Sequence, residues 1–267
     1  MARFYNRRMK SIPLVLLALA PVAASAQSQA IPDDYTLLGA AVRTRPAYDG
    51  SGSQVTDLIP VVRYYGEPWF ARTTQGILEG GLHWQLGSGV AGGFQLSYDE
   101  GRKASESSFL RDHNFNDDID PNASLGAHLE WDTKIGPAPV FVMGRYRQSL
   151  DSGRGALFDL RGNVGVYGSG GLLVALYAEA TWAGSKANNF YYGVSPAQSA
   201  ASGFAAYAPG SGLRDTAAGV LASYDLSRHW VLVGSLQERW LQGAAAKSPL
   251  VEKKDNLYAN AGIAYRF

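Results

Sequence analysis

The chain of 267 residues is 46% apolar, contains 31 Gly, 15 Tyr, 10 Phe and 6 Trp, and carries a formal charge of only +1. That balance, with no block of like charge, excludes an electrostatic nucleic-acid binder. With no Cys, disulfides, thiolate metal sites and Cys nucleophiles are excluded together.

Residues 1–26 read as a secretory signal peptide that is cleaved from the mature chain. Arg3, Arg7, Arg8 and Lys10 form its positive start, Ile12 to Ala20 its short apolar run, and Ala24-Ser25-Ala26 its cleavage site. The run is far shorter than the ~20 residues a spanning helix needs. The predicted mature domain, 27–267, holds 20 Lys plus Arg against 23 Asp plus Glu and is mildly acidic. None of its stretches approaches ~18 consecutive apolar residues, so a helical membrane protein is excluded. A soluble periplasmic β protein and an outer-membrane barrel remain.

Alternation of apolar and polar residues fits both, since the outer faces of a soluble sandwich are polar too, and the placement of the aromatics decides between them. Strands are expected at 35–47, 55–65, 90–100, 123–134, 138–149, 156–167, 171–183, 213–226, 229–241 and 256–267. Arg43 and Arg45, near the outer end of the first, are placed either to meet lipid phosphates or simply to be solvated. The stretch 69–86 divides near Gln75-Gly76 into two strands, of which the first, Trp69 to Thr74, is short. Leu78, Leu82, Trp84 and Leu86 alternate with Glu79, His83 and Gln85; Phe94, Leu96 and Tyr98 with Gln95, Ser97 and Asp99; Leu125, Leu129 and Trp131 with Ser124, His128, Glu130 and Asp132. The pattern recurs with Phe158, Leu160, Val164 and Val166 against Asp159, Arg161 and Asn163, then with Leu176 and Trp182 against Tyr177, Glu179 and Thr181. Trp230 and Trp240 share a face about 25 Å apart along a tilted strand, the height of the apolar band between two aromatic girdles. Glu238 lies awkwardly on that face.

The expected fold is therefore all-β, a transmembrane antiparallel up-and-down barrel of about twelve strands, with ten as the alternative. Counting back from a periplasmic C-terminus leaves the long connections 101–122, 150–155, 184–212 and 242–255 outside, and only short turns inside. The loop 184–212 is long enough to fold over the barrel mouth. Asp112 to Asp120 is rich in oxygen ligands but lacks the Gly and terminal Glu of a Ca²⁺-binding EF-hand loop, which favours a solvated acidic loop.

The inward faces collect the candidate lumen charges: Glu79, Asp99, Glu130, Asp132, Asp159, Glu179 and Asp225 against Arg145, Arg147, Arg161 and Arg239, with His83 and His128 beside Glu79 and Glu130. Either histidine could act as a base, but no motif marks a nucleophile, so no catalytic, cofactor or metal site is expected. The same charges fit a water-filled pore or a salt-bridged plug.

The chain ends Asn260-Ala-Gly-Ile-Ala-Tyr-Arg-Phe267, and Asn260, Gly262, Tyr265 and Phe267 resemble the C-terminal assembly signal of bacterial outer-membrane proteins. That resemblance implies recognition by the barrel assembly machinery and a place among outer-membrane lipids and lipopolysaccharide. The segment Asn189-Phe-Tyr-Tyr-Gly-Val-Ser-Pro-Ala-Gln-Ser-Ala-Ala-Ser-Gly203 resembles the Y-F/Y-G-V-x-P-x-Q-S-A-x-S block of the MipA/OmpV family, the MltA-interacting proteins. Arg45-Pro-Ala-Tyr-Asp-Gly50 is similar to the family's R-P-x-Y-x-G turn, and Tyr98 to Arg102 to its Y-x-x-G-R strand end. The resemblance implies an outer-membrane scaffold, not an enzyme, bridging a murein lytic transglycosylase and a penicillin-binding protein. A porin-like channel for small polar solutes is the alternative.

Overall fold

The computed structural model describes residues 36–74 and 76–267. The predicted signal peptide and the stretch Gln27 to Asp34 lie outside the described residues.

Period-2 alternation is satisfied by one antiparallel barrel of twelve strands, closed by pairing of the first with the last. They are β1 (Leu37–Pro46), β2 (Gln54–Gly66), β3 (Trp69–Thr74), β4 (Ile77–Gly87), β5 (Val90–Asp99), β6 (Asn122–Ile135), β7 (Ala138–Ser149), β8 (Ala156–Ser169), β9 (Leu172–Ala183), β10 (Gly212–Asp225), β11 (Trp230–Leu241) and β12 (Asp255–Arg266). The division of 69–86 falls where Gly76, at φ 83°, reverses the chain. No described helix is long and apolar enough to cross a membrane; the strands cross it.

Apolar side chains point outward, the reverse of a soluble core. Leu58, Phe94, Leu125, Leu129, Leu236 and Leu257 are all exposed, Leu129 by 56%. Around this band run two rings of exposed aromatics: Trp69, Trp84, Trp131, Tyr224 and Trp230 toward the short turns, and Tyr98, Tyr146, Phe158, Trp182 and Trp240 toward the long loops. Such belts sit at the two membrane interfaces, because their rings are apolar at one end and wet at the other. The protein is an outer-membrane barrel.

The connections at one end are short, with two residues at Ser88-Gly89, Gly136-Pro137 and Gly170-Gly171. At the other end the loops fold into a cap containing α1 (Ser108–Asp112), α2 (Ser185–Tyr192) and α3 (Pro196–Ser202). These helices were not expected from the alternation, although Ser195-Pro196-Ala197-Gln198 carries a capping box: Ser195 Oγ accepts from Gln198 N, and Gln198 Oε1 from Ser195 N. Val166 and Tyr167 both face outward across a register shift between Gly165 and Tyr167, since a bulge puts two residues against one.

Candidate functional site

Strand register brings the predicted lumen charges together. His83, Gly93, His128, Arg145, Asp159, Thr181 and Asp215 follow one another across β4 to β10 as directly paired residues. Long charged side chains from this row and its neighbours meet inside the barrel and form an unbroken series of ion pairs. Glu130 is held by Arg72 Nη1, and Arg72 Nε donates to Glu79 at 2.6 Å. Arg145 bridges Glu79 (2.9 Å) and Asp159 (3.0 Å). Arg147 bridges Asp159 (3.1 Å) and Asp99 (3.2 Å). Each of these three arginines has two carboxylate partners, Glu79 and Asp159 have two arginine partners each, and Glu130 and Asp99 terminate the series with one arginine each.

The series is dry. Arg145 is 1% exposed, Asp159 1% and Glu79 2%. An ion pair so placed recovers its desolvation cost only when the remaining donors and acceptors are also satisfied. They are extended here by Thr181 Oγ1 donating to Asp159 and Ser124 Oγ donating to Asp99. Arg72 also donates to the hydroxyl of Tyr65 and lies beside Met143 Sδ.

A second group lies alongside. Arg161 approaches Glu179 at 3.8 Å and stacks over the Tyr177 ring at 4.3 Å, while Tyr177 donates to Gln237. Arg239 is at the loop end, on Asp49 (2.8 Å) and over the Tyr258 ring. Asp225 pairs with Arg266 at the turn-end rim, where its exposure excludes it from the dry interior. The two histidines adjoin the Glu130 terminus. His83 Nδ1 and His128 Nε2 are 3.2 Å apart, and His128 Nδ1 is 2.8 Å from Gln95 Oε1. Gly93 lies between them in register, and a Cβ there would stand 1.8 Å from the Leu82 carbonyl and 3.0 Å from the His128 ring. The glycine lets the two rings meet over its strand.

Arg43 and Arg45 do not meet lipid phosphates. Arg43 turns inward and donates to Asp57 (2.9 and 2.7 Å) and Glu100 (2.9 and 2.7 Å), and Arg45 joins it on Asp57. Arg72 was absent from the expected charges because six residues of β3 give too few alternations to fix a face. Trp69, 61% exposed, supplies the missing signal, since it sets Phe70 and Arg72 inward. The acidic residues of the loop 112–120 stay exposed, as expected, while Asp118 accepts from Ala104 N and Asp117 from Gln198 Nε2 of α3.

The C-terminal residues form the closing seam. Asn260 Nδ2 donates to Ser235 Oγ. A Cβ on Gly262 would lie 2.4 Å from the Ala40 carbonyl of β1, so close strand approach demands glycine there. Tyr265 stacks on His229 and makes edge contacts with Trp230 and Phe267, an aromatic knot at the turn-side interface.

The family model described as MltA-interacting protein MipA matches residues 38–267. The chain belongs to that family. The MltA-interacting protein of Escherichia coli (strain K12) is 26% identical over 221 residues, spanning 78% of this chain and 81% of the relative, and that of Shigella flexneri gives the same values. Among solved structures, an outer membrane channel from Pseudomonas putida F1 has a TM-score of 0.46 at 11% identity, covering 87% of this chain and 95% of that one. LpxR from Salmonella typhimurium has a TM-score of 0.46 at 9% identity, covering 86% and 100%.

The block that resembled the MltA-interacting family, Asn189 to Gly203, builds the cap. Val194, Phe204, Leu110, Phe115 and Leu250 form an apolar cluster from three loops, and Tyr192, Leu241 and Ala245 a second one. Arg102 Nη1 donates to the Tyr191 carbonyl, Ser248 Oγ to the Tyr192 carbonyl and Tyr207 OH to the Ala244 carbonyl. Burial pushes the Tyr48 phenol up to about 12 and raises the Tyr192 phenol still further. Burial alone would also raise the Asp49 carboxyl, but the Arg239 and Arg214 charges and a hydrogen bond from Tyr258 outweigh it and hold Asp49 below the usual carboxylate value.

Proposed function

We propose that this barrel is a closed, non-enzymatic scaffold of the outer membrane that holds murein-cleaving and murein-synthesising enzymes at its periplasmic rim. The observation that carries the reading is the series from Glu130 to Asp99. A conducting pore keeps its opposite charges apart across a hydrated constriction, whereas these charges are paired and, from Glu130 to Asp159, buried. A barrel whose lumen is filled has its rims left for function. The naming of relatives as MltA-interacting proteins supports a murein enzyme as partner, and the loop-end rim is already covered by its own cap.

The partner-facing surface is then the turn end, formed by Glu67-Pro68, Ser88-Gly89, Gly136-Pro137, Gly170-Gly171 and Leu226 to His229. The turns are too short to form a binding loop singly, so recognition uses the rim as a whole. A photo-crosslinking side chain placed at Ser169 or Arg228, both exposed at that rim, should trap a lytic transglycosylase or a penicillin-binding protein in cells, and one at Ala200 on the cap should not. Crosslinks from Ala200 alone, or none to murein enzymes from the rim, would contradict the reading.

A further inference from the structure

The ion-pair series does not balance. It contains three guanidinium groups, Arg72, Arg145 and Arg147, and four carboxylates, Glu79, Glu130, Asp99 and Asp159. Both ends are carboxylates with a single arginine. Asp99 keeps 21% of its side chain exposed, so water screens its surplus charge. The Glu130 side chain is only 5% exposed. A buried carboxylate with half the cationic company of its neighbours calls for another positive charge.

What stands beside Glu130 is a pair of imidazoles. His83 and His128 are 7% and 5% exposed, and one ligand atom from each of His83, His128 and Glu130 lies within 4.8 Å of the others. His83 Nδ1 and His128 Nε2 hydrogen-bond to each other at 3.2 Å; an ion would replace that shared proton, and the separation is already close to the edge of a tetrahedron with ligands at 2.0–2.1 Å from zinc, about 3.3 Å. Gln95 Oε1, 2.8 Å from His128 Nδ1, is placed to accept that proton and leave Nε2 with its lone pair. This is the outer hydrogen bond that orients histidine ligands in metal sites. Glu130 Oε1 is taken by Arg72, and no described group donates to its other oxygen. Farther toward the turns the inward-facing Gln85 and Asp132 are exposed, so the trio borders the wet part of the lumen and an ion can reach it.

We propose that His83, His128 and Glu130 form a binding site for a borderline divalent cation, Zn²⁺ before others. Two imidazoles and one carboxylate suit zinc and neighbouring transition metals, whereas Ca²⁺ and Mg²⁺ prefer all-oxygen sets. Three protein ligands leave a fourth position for water, facing the open lumen. The ion supplies the charge missing at Glu130 and ties β4 to β6. The site is independent of which partner the rim binds.

The test uses the mature chain folded in detergent, without a polyhistidine tag and stripped by chelator, titrated calorimetrically with ZnCl₂ and spectroscopically with CoCl₂. One ion should bind per chain, with the intense visible bands of tetrahedral Co²⁺. His83→Gln, His128→Gln and Glu130→Gln should each weaken binding at least tenfold, and His113→Gln and His229→Gln should leave it unchanged. Saturable binding that survives His83→Gln and His128→Gln, or no saturable binding at all, would overturn the proposal. If those variants fail to fold, the wild-type Co²⁺ spectrum decides, because weak octahedral bands contradict the tetrahedral site of three protein ligands and one water.

Discussion

Arg145 on β7 donates Nη1 to Glu79 on β4 at 2.9 Å, over the two strands between them, with both side chains almost wholly buried. This one contact ties strands that share no backbone hydrogen bond and fills the lumen with side chains, where a wide barrel would otherwise hold water.

Such a pair adds little net stability, yet breaking it strands charges that cannot return to water. Glu79→Gln leaves Arg72 and Arg145 each short of a partner and should cost about 3–5 kcal/mol in urea unfolding of the folded, detergent-bound protein. Asp99→Asn, at the hydrated end, should cost about 1 kcal/mol or less. Equal losses would mean that the series is no more than a set of local contacts.

Stability of the cap should depend on acid. Asp49 has its carboxyl held below the usual 3.8 by the opposing balance described above. A depressed folded value contributes stability that is complete above the unfolded value and is lost as pH falls through the folded one. Wild type should therefore melt above Asp49→Asn at pH 6, and the gap should close as pH drops below about 4. A gap of the same size at pH 3 and pH 6 would assign the difference to packing.

Assembly is tested at the seam. If Tyr265 and Phe267 are read by the assembly machinery, deleting Phe267 should reduce folded, heat-modifiable barrel in the membrane far more than the loss of one buried side chain, ~2 kcal/mol, can explain. Leu257→Ala, on the same outward face of β12, is the control. Equal losses would make the terminal aromatic a packing residue only.

The barrel was legible because a membrane-facing strand writes its two environments in alternate residues: Leu125, Leu129 and Trp131 outward, Ser124, His128 and Glu130 inward. Even β3 was placed, from the turn at Gln75-Gly76, though its inward Arg72 was not. Contacts between strands were harder to see, because the meeting of Arg72, Glu79 and Glu130 depends on the register of four strands and leaves no local signal. Arg43 misled for the same reason; its partners Asp57 and Glu100 are far along the chain. The cap helices were hidden by composition, since Ala, Ser, Gly and Asn read as loop, and only the Ser195–Gln198 capping box betrayed one of them.

Topology gives a fourth expectation. Cys at Ser105 or Ala200, both exposed on the cap, should be labelled in intact cells by an impermeant thiol reagent, and Cys at Ser169 only after the outer membrane is opened. The native chain has no Cys to interfere. The opposite pattern would invert the barrel and move the expected partner surface to the cap.

The central claim, that paired charges close the lumen, is tested most directly by the conductance of the purified barrel in planar bilayers. Wild type should give no steady ion steps, while Arg145→Ser combined with Asp159→Ser, which removes two adjoining members of the series, should open measurable ones. Steady steps from the wild-type protein, unchanged by that double substitution, would contradict the closed barrel and favour a diffusion channel.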